Sequence, residues 1–276
     1  MRIKGLRKSG VTAMLEQIKN YYTFVDRTNP LTKIFIGLLL FLLVVLMHNP
    51  NQLFYLALTM LAAMIVLSGI RLRYLAVVLV LFFVFGAFSA MYMVFYGAGT
   101  TTLFRFGLIH ITEESLIRGV HIMMRGLTLS FFGALVIFTT KLTDVFYSLM
   151  IQLRLKPKFA YSFMAAIRMV PLIAGEYMML RRARKVRKPL IHKRHISGVK
   201  GFITTVITLL SQSIRRAYRL GVAMEAKQFD DGPRTYYYRT ALSKYDILFV
   251  LMIIVIIFVS FLLGTEFSLI NVTDAR

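Results

Sequence analysis

The chain has 276 residues, 58% of them hydrophobic, and its 34 Lys and Arg against 12 Asp and Glu give a formal net charge of +22. A soluble domain rarely joins such apolarity to such charge and a polytopic membrane protein often does, so the expected class is membrane-embedded. The absence of cysteine excludes disulfides, thiolate metal sites and cysteine nucleophiles, while nucleic-acid binding would leave the long lipid-compatible segments unexplained and no RNP-like motif, zinc finger or GxxxxGK(S/T) loop occurs.

The first thirty residues are basic but carry no apolar core of 7 to 15 residues and no small-residue cleavage site, so they read as a mature cytoplasmic start. Crossing a hydrocarbon core of ~30 Å takes ~20 mostly apolar residues. Spans are expected at about 31–49, Leu53–Ile70, Tyr74–Tyr96, Glu114–Thr140 and Ile247–Leu263. In the third, "GAFSA" (86–90) predicts close helix approach. In the fourth, Arg118 and Arg125 stand seven apart on one helix face, where two readings stay open: a polar seam against another element, or side chains snorkelling to the interface. Lys and Arg collect before the first span and at "RLRY" (71–74), which places the N-terminus inside and the C-terminal tail outside.

Between the fourth and fifth spans lies the charged part of the chain. Residues 141–245 hold 21 of the 34 Lys and Arg but only five acids. Apolar runs interleave with those charges, so the region is expected to fold. Two long helices fit it. One starts at Pro157, passes Pro171 and ends near Lys188, before Pro189; the other runs from about Ser197 to Phe229, ahead of an Asp230-Asp231-Gly232-Pro233 turn. The expected division is 1–140 with four spans, 141–243 as a cytoplasmic helix region, and 244–276 with the last span. His192 and His195 lie three apart, but Lys193 and Arg194 would repel a cation and no third ligand is near, so no metal site is expected. The sixteen methionines, Met123-Met124 and Met178-Met179 among them, read as adaptable packing. No GxSxG, HExxH or paired-acid motif occurs, which argues against an enzyme. The spans carry almost no carboxylate, which weakens a proton-coupled transporter.

Two stretches carry a resemblance. The first helix contains Arg168-Met169-Val170-Pro171 with Glu176 five residues after the proline, and the second contains Arg216-Ala217-Tyr218-Arg219-Leu220-Gly221-Val222-Ala223-Met224-Glu225-Ala226-Lys227-Gln228-Phe229, then Arg234-Thr235-Tyr236. With "DRTNPLTK" before the first span and "TTKLTDVFYSLMIQLRL" after the fourth, these runs resemble the transmembrane T components of energy-coupling factor importers, a branch of the ABC transporters. That family's two helix ends read Ala-Arg-Gly; here they read Val186-Arg187-Lys188 and Ala226-Lys227-Gln228. Lys227 keeps the charge of arginine without its planar fork.

The resemblance implies an all-α membrane scaffold with about five spans and two long coupling helices. It implies no catalytic residue and no cofactor of its own. It further implies two ABC-type ATPase partners, a small substrate-binding membrane subunit, and uptake of a vitamin or other micronutrient at the cell membrane. Arg187 and Lys227, with Arg184, are the expected ATPase contacts; Glu176 and Glu225 position the helix ends; Arg168, Pro171, Gly232 and Pro233 set helix geometry. The alternatives are a self-contained secondary transporter or channel, and a scaffold held by anionic lipid.

Overall fold

A computed structural model describes residues 19–97, 102–106, 109–187, 199–229 and 241–267. The helices are α1 (Pro30–Leu46), α2 (Pro50–Leu67), α3 (Leu72–Tyr96), α4 (Glu113–Thr139), α5 (Leu142–Gln152), α6 (Pro157–Arg187), α7 (Val199–Ala226) and α8 (Lys244–Glu266). The five expected spans are α1 to α4 and α8, with boundaries that shift by a few residues, and the two expected long helices are α6 and α7. Besides a single 3-10 turn at Phe24–Arg27, two elements among the described residues were not anticipated. Short α5 precedes α6, and a small antiparallel hairpin, β1 (Thr102–Phe106) with β2 (Ile109–Thr112), stands where a loop was expected.

Local chemistry sets the helix starts. In α1 and α2 an Asn precedes a Pro: Asn29 Oδ1 accepts from Leu31 N at 3.0 Å and Asn49 Oδ1 from Asn51 N at 3.1 Å. Each proline occupies a first-turn position whose N–H has no helical partner in any case. Thr112 and Ser115 form a reciprocal capping box at the start of α4. At α8, Asp246 caps the Ser243 N–H at 2.6 Å, and its other oxygen accepts from Asn29 N, also at 2.6 Å, tying α8 to the entry of α1.

The chain forms two compact units, one containing Thr12–Ser148 with Thr240–Arg276 and the other containing Leu149–Arg239. In the first, α4 packs against α1, α2 and α3, and α2 packs against α8. Its core gathers Leu40, Val44, Leu53, Leu56, Met60, Leu127, Phe131, Leu135, Phe249 and Ile253. Outward faces stay apolar: Val77, Val80, Phe85 and Phe88 of α3 and Ile254 and Phe258 of α8 are exposed. Such faces suit lipid, in which helices associate through close packing and polar contacts and the hydrophobic effect contributes little.

Close packing is visible at small residues. A Cβ placed on Gly264 of α8 would lie 2.8 Å from Gln52 Cα of α2. One turn earlier, Ser260 Oγ donates to Gln52 O at 2.8 Å. In α3, the expected approach at "GAFSA" is present: a Cβ on Gly86 would meet Met123 Cγ at 3.2 Å, and one on Gly119 would meet Ala90 O at 3.3 Å.

Polar ties fix α1 against α4. Lys33, fully buried, donates through Nζ to Thr139 O, Thr139 Oγ1 and Thr140 Oγ1 at 3.0, 3.1 and 3.0 Å. At the far end, Arg125 Nη2 donates to Met47 O at 3.1 Å. Lys33 and Met47 are fourteen residues apart, as are Arg125 and Thr139, so the ties join two antiparallel helices in register. Each cation satisfies carbonyls at the partner helix's C-terminus, where the ladder ends and the helix dipole is negative. For Arg125 the polar seam is therefore the arrangement found.

Among the described residues, five helices are long and apolar enough to cross a membrane: Pro50–Leu67, Leu72–Phe95, Glu114–Thr139, Pro157–Val186 and Lys244–Glu266. Helix α1 is apolar but only 17 residues long.

Candidate functional site: the helix pair α6 and α7

Helix α6 runs for 31 residues from Pro157 and continues through Pro171, which removes one N–H from the helical ladder. It crowds basic residues into its last two turns, Arg181, Arg182, Arg184, Lys185 and Arg187, where they complement the negative helix terminus. Helix α7 is amphipathic over 28 residues. Val199, Ile203, Val206, Leu210 and Ile214 form an exposed apolar stripe, and Gln212, Arg215 and Arg219 lie round the opposite side.

Among the described residues, the helices are tied at three levels. Tyr161, near the start of α6, meets Phe229, just beyond α7, edge to face with ring centroids 5.5 Å apart. In the middle, Glu176 Oε1 is ion-paired with Arg216 Nη2. Towards the end of α6, Arg184 Nη1 donates to Gly201 O at 3.2 Å and to the hydroxyl of buried Thr205. Their order, 161 to 229, 176 to 216 and 184 to 201–205, runs oppositely along the two chains, so the helices form an antiparallel brace.

The end of α7 is built in a specific way. Phe229 N–H donates to Met224 O at 3.0 Å and Gln228 N–H to Glu225 O at 2.9 Å, the two bonds of a Schellman cap. The cap needs a left-handed residue at position 228, and Gln228 occupies it at φ 53°. Glycine is the usual residue there, because a side chain in that region is unfavourable by about 1 kcal/mol or more. The glycine of the Ala-Arg-Gly pattern thus falls on the one backbone position at this helix end that favours glycine. Lys227, the C-cap, is exposed and offered outwards on a terminus anchored through Phe229 to Tyr161.

The expected site residues therefore separate by role. Arg184 and Glu176 are engaged within the helix pair. Glu225 and Lys227 are exposed on the last turn of α7. Arg168 is exposed on α6 three residues before Pro171. Arg187 is the last residue of α6, so it and Lys227 stand at opposite ends of the brace, roughly 40 Å apart along α6 at ~1.5 Å per residue. Gly232, Pro233, His192 and His195 lie outside the described residues. Thr205 and Tyr161 were not anticipated from the sequence, and Arg216 and Phe229 stood there only as the two ends of a motif, with no partner assigned. Arg216 opens the "RAYRLGVAMEA" run, but nothing in that run names Glu176 as its partner. Among the described residues, no group of three or more His, Asp or Glu is arranged to hold a metal ion.

A family profile described as CbiQ, cobalt transport protein, matches residues 22–238, which include α1 to α7 and the brace. The chain belongs to this family. Among its relatives, the energy-coupling factor transporter transmembrane protein EcfT of Staphylococcus aureus is 28% identical over 251 residues, covering 87% of this chain and 93% of the relative. The EcfT protein of Streptococcus thermophilus is 27% identical over 244 residues, 84% of this chain and 91% of the relative. That of Streptococcus equi is 28% identical over 180 residues, 61% of this chain and 66% of the relative. The resemblance to T components read from the sequence is borne out, and with it the all-α, multi-pass membrane class.

Proposed function

We propose that this protein is the coupling subunit of an ATP-driven importer of the energy-coupling factor type, without chemistry of its own. In this reading, two ABC-type ATPases dock at the ends of the brace, and a small substrate-binding membrane subunit, carrying a vitamin or another micronutrient, packs against its apolar faces. The observation that carries it is the form of the brace: two cationic helix ends roughly 40 Å apart, joined by a helix pair cross-linked at three levels. A member braced in this way moves as a unit, so closure of two ATPases on its ends would pass to the membrane part as a push. Relatives that carry the name energy-coupling factor transporter over nine-tenths of their length support the assignment.

The spanning helices are then α1 to α4 and α8, with the N-terminus cytoplasmic and the C-terminus outside. Helix α6, although long and apolar enough, carries Arg168 and Glu176 within its apolar stretch, and a charge at bilayer depth is unfavourable by about 2.5 kcal/mol or more. It is assigned to the cytoplasmic side, where Lys and Arg concentrate.

The decisive experiment combines Arg187→Glu with Lys227→Glu and measures co-purification with ABC-type ATPases co-expressed from the same source. Association is expected to fall at least tenfold, and undiminished association overturns the docking assignment. Substrate uptake by the purified chain alone in liposomes, independent of ATP, would instead establish a self-contained transporter.

A further inference from the structure

The segment 211–219 of α7 reads SQSIRRAYR, which places Gln212, Arg215, Arg216 and Arg219 at i, i+3, i+4 and i+7 on one helix face. Three guanidinium groups within two turns repel one another, and like charges at this spacing are unfavourable by about 0.2–0.5 kcal/mol per pair on an isolated helix. The helix does little to relieve this. Its sole acid is Glu225, a turn and a half beyond Arg219, and it pairs with none of the three. From α6 a single carboxylate arrives, that of Glu176, and it engages only Arg216. Even there, Arg216 Nη1 is buried with no hydrogen-bond partner. Arg215 donates only to Ser211 Oγ, at 3.2 Å, and Arg219 has neither a hydrogen bond nor an ion pair among the described residues.

These four side chains line a recess of about 150 Å³. We infer that this recess binds an oxyanion of the phosphate class. One carboxylate against three guanidinium groups leaves two positive charges, which a phosphate dianion matches. Its tetrahedral oxygens can accept from the forks of Arg215 and Arg219 at once and from the Gln212 amide. The Glu176 pair holds Arg216 in place, so the site is partly preorganised before the anion arrives.

Free phosphate, a phosphorylated metabolite and a phospholipid headgroup share this chemistry. The helix itself favours a soluble source. The apolar stripe of Val199, Ile203, Val206, Leu210 and Ile214 lies on the opposite side of α7, so a membrane surface covering that stripe would leave the recess facing water. The inference does not depend on the ATPase assignment.

The test uses the full chain in nanodiscs of phosphatidylcholine alone, titrated with inorganic phosphate by calorimetry at constant ionic strength, with chloride as the comparison anion. Saturable phosphate binding is expected, absent with chloride and weakened at least tenfold by Arg215→Gln with Arg219→Gln. Should that pair fail to fold, Arg215→Lys with Arg219→Lys keeps the charge but loses the forks, and a several-fold weakening is expected. Repeating the titration in discs containing phosphatidylglycerol separates the sources: competition by that lipid assigns a headgroup, and undiminished binding assigns a soluble phosphate. Absence of saturable binding, or binding indifferent to both double variants, overturns the inference.

Discussion

Breaking the Glu176–Arg216 pair should loosen the brace by an amount that can be worked from its surroundings. The two side chains are 17% and 31% exposed, so the pair is neither fully solvated nor fully buried. Two unit charges near 4 Å attract by about 4 kcal/mol at an effective dielectric of 20 and by about 1 kcal/mol in water. The partial exposure of Arg216 and the unused Oε2 and Nη1 atoms reduce the first figure, and exposed pairs set a floor of about 0.2–1 kcal/mol. A coupling of about 1–2 kcal/mol follows, equivalent to a roughly five- to thirty-fold change in the opening equilibrium of the helix pair. The assay is a double-mutant cycle of Glu176→Gln, Arg216→Gln and both together, read by amide hydrogen exchange over 170–187 and 199–220 in the full chain. Each single variant should raise exchange in both helices, and the double variant should add less than the sum. Exchanging the charges, Glu176→Arg with Arg216→Glu, should restore much of the protection. Strict additivity across the cycle, or faster exchange confined to the mutated helix, would refute the view that this contact braces α6 to α7.

The remaining predictions concern single positions. Gln228→Gly should stabilise the end of α7 by about 0.5–1 kcal/mol by relieving the left-handed backbone, seen as two- to five-fold slower amide exchange at residues 227–229; faster exchange would contradict the cap assignment. Lys33→Met keeps the length of the side chain but forfeits three hydrogen bonds to the end of α4, so the chain in detergent should lose about 2 kcal/mol and several degrees in Tm, whereas an unchanged Tm would show that the tie is dispensable. Gly264→Leu places a side chain against the backbone of α2 at Gln52 and should destabilise the α2–α8 contact by about 1–3 kcal/mol, with Gly264→Ala milder; a normal Tm for both would mean that α8 is free to shift.

The amino-acid sequence by itself determined the class of this protein and nearly all of its helices. Long uncharged runs have one solution in lipid, the helix that satisfies its own backbone, so α1 to α4 and α8 could be placed within a few residues. Proline at 157 and the charge concentrated over 141–245 marked α6 and α7 equally well. Two local elements escaped this reading, the β1–β2 hairpin and α5, because neither has the length or periodicity that separates a short element from a loop.

What only the tertiary structure decided is which polar groups meet. Arg125 was open between snorkelling and a seam until the end of α1 proved to supply its carbonyl acceptor, and nothing in the sequence marks Lys33 as the cation that the end of α4 encloses. Glu176 and Arg216 lie forty residues apart, so no local rule couples them; antiparallel packing of two helices does. The same holds for Gln228. In the sequence it was a departure from a familiar ending, and in the fold it is a side chain occupying the one backbone conformation at that helix end that glycine adopts without strain.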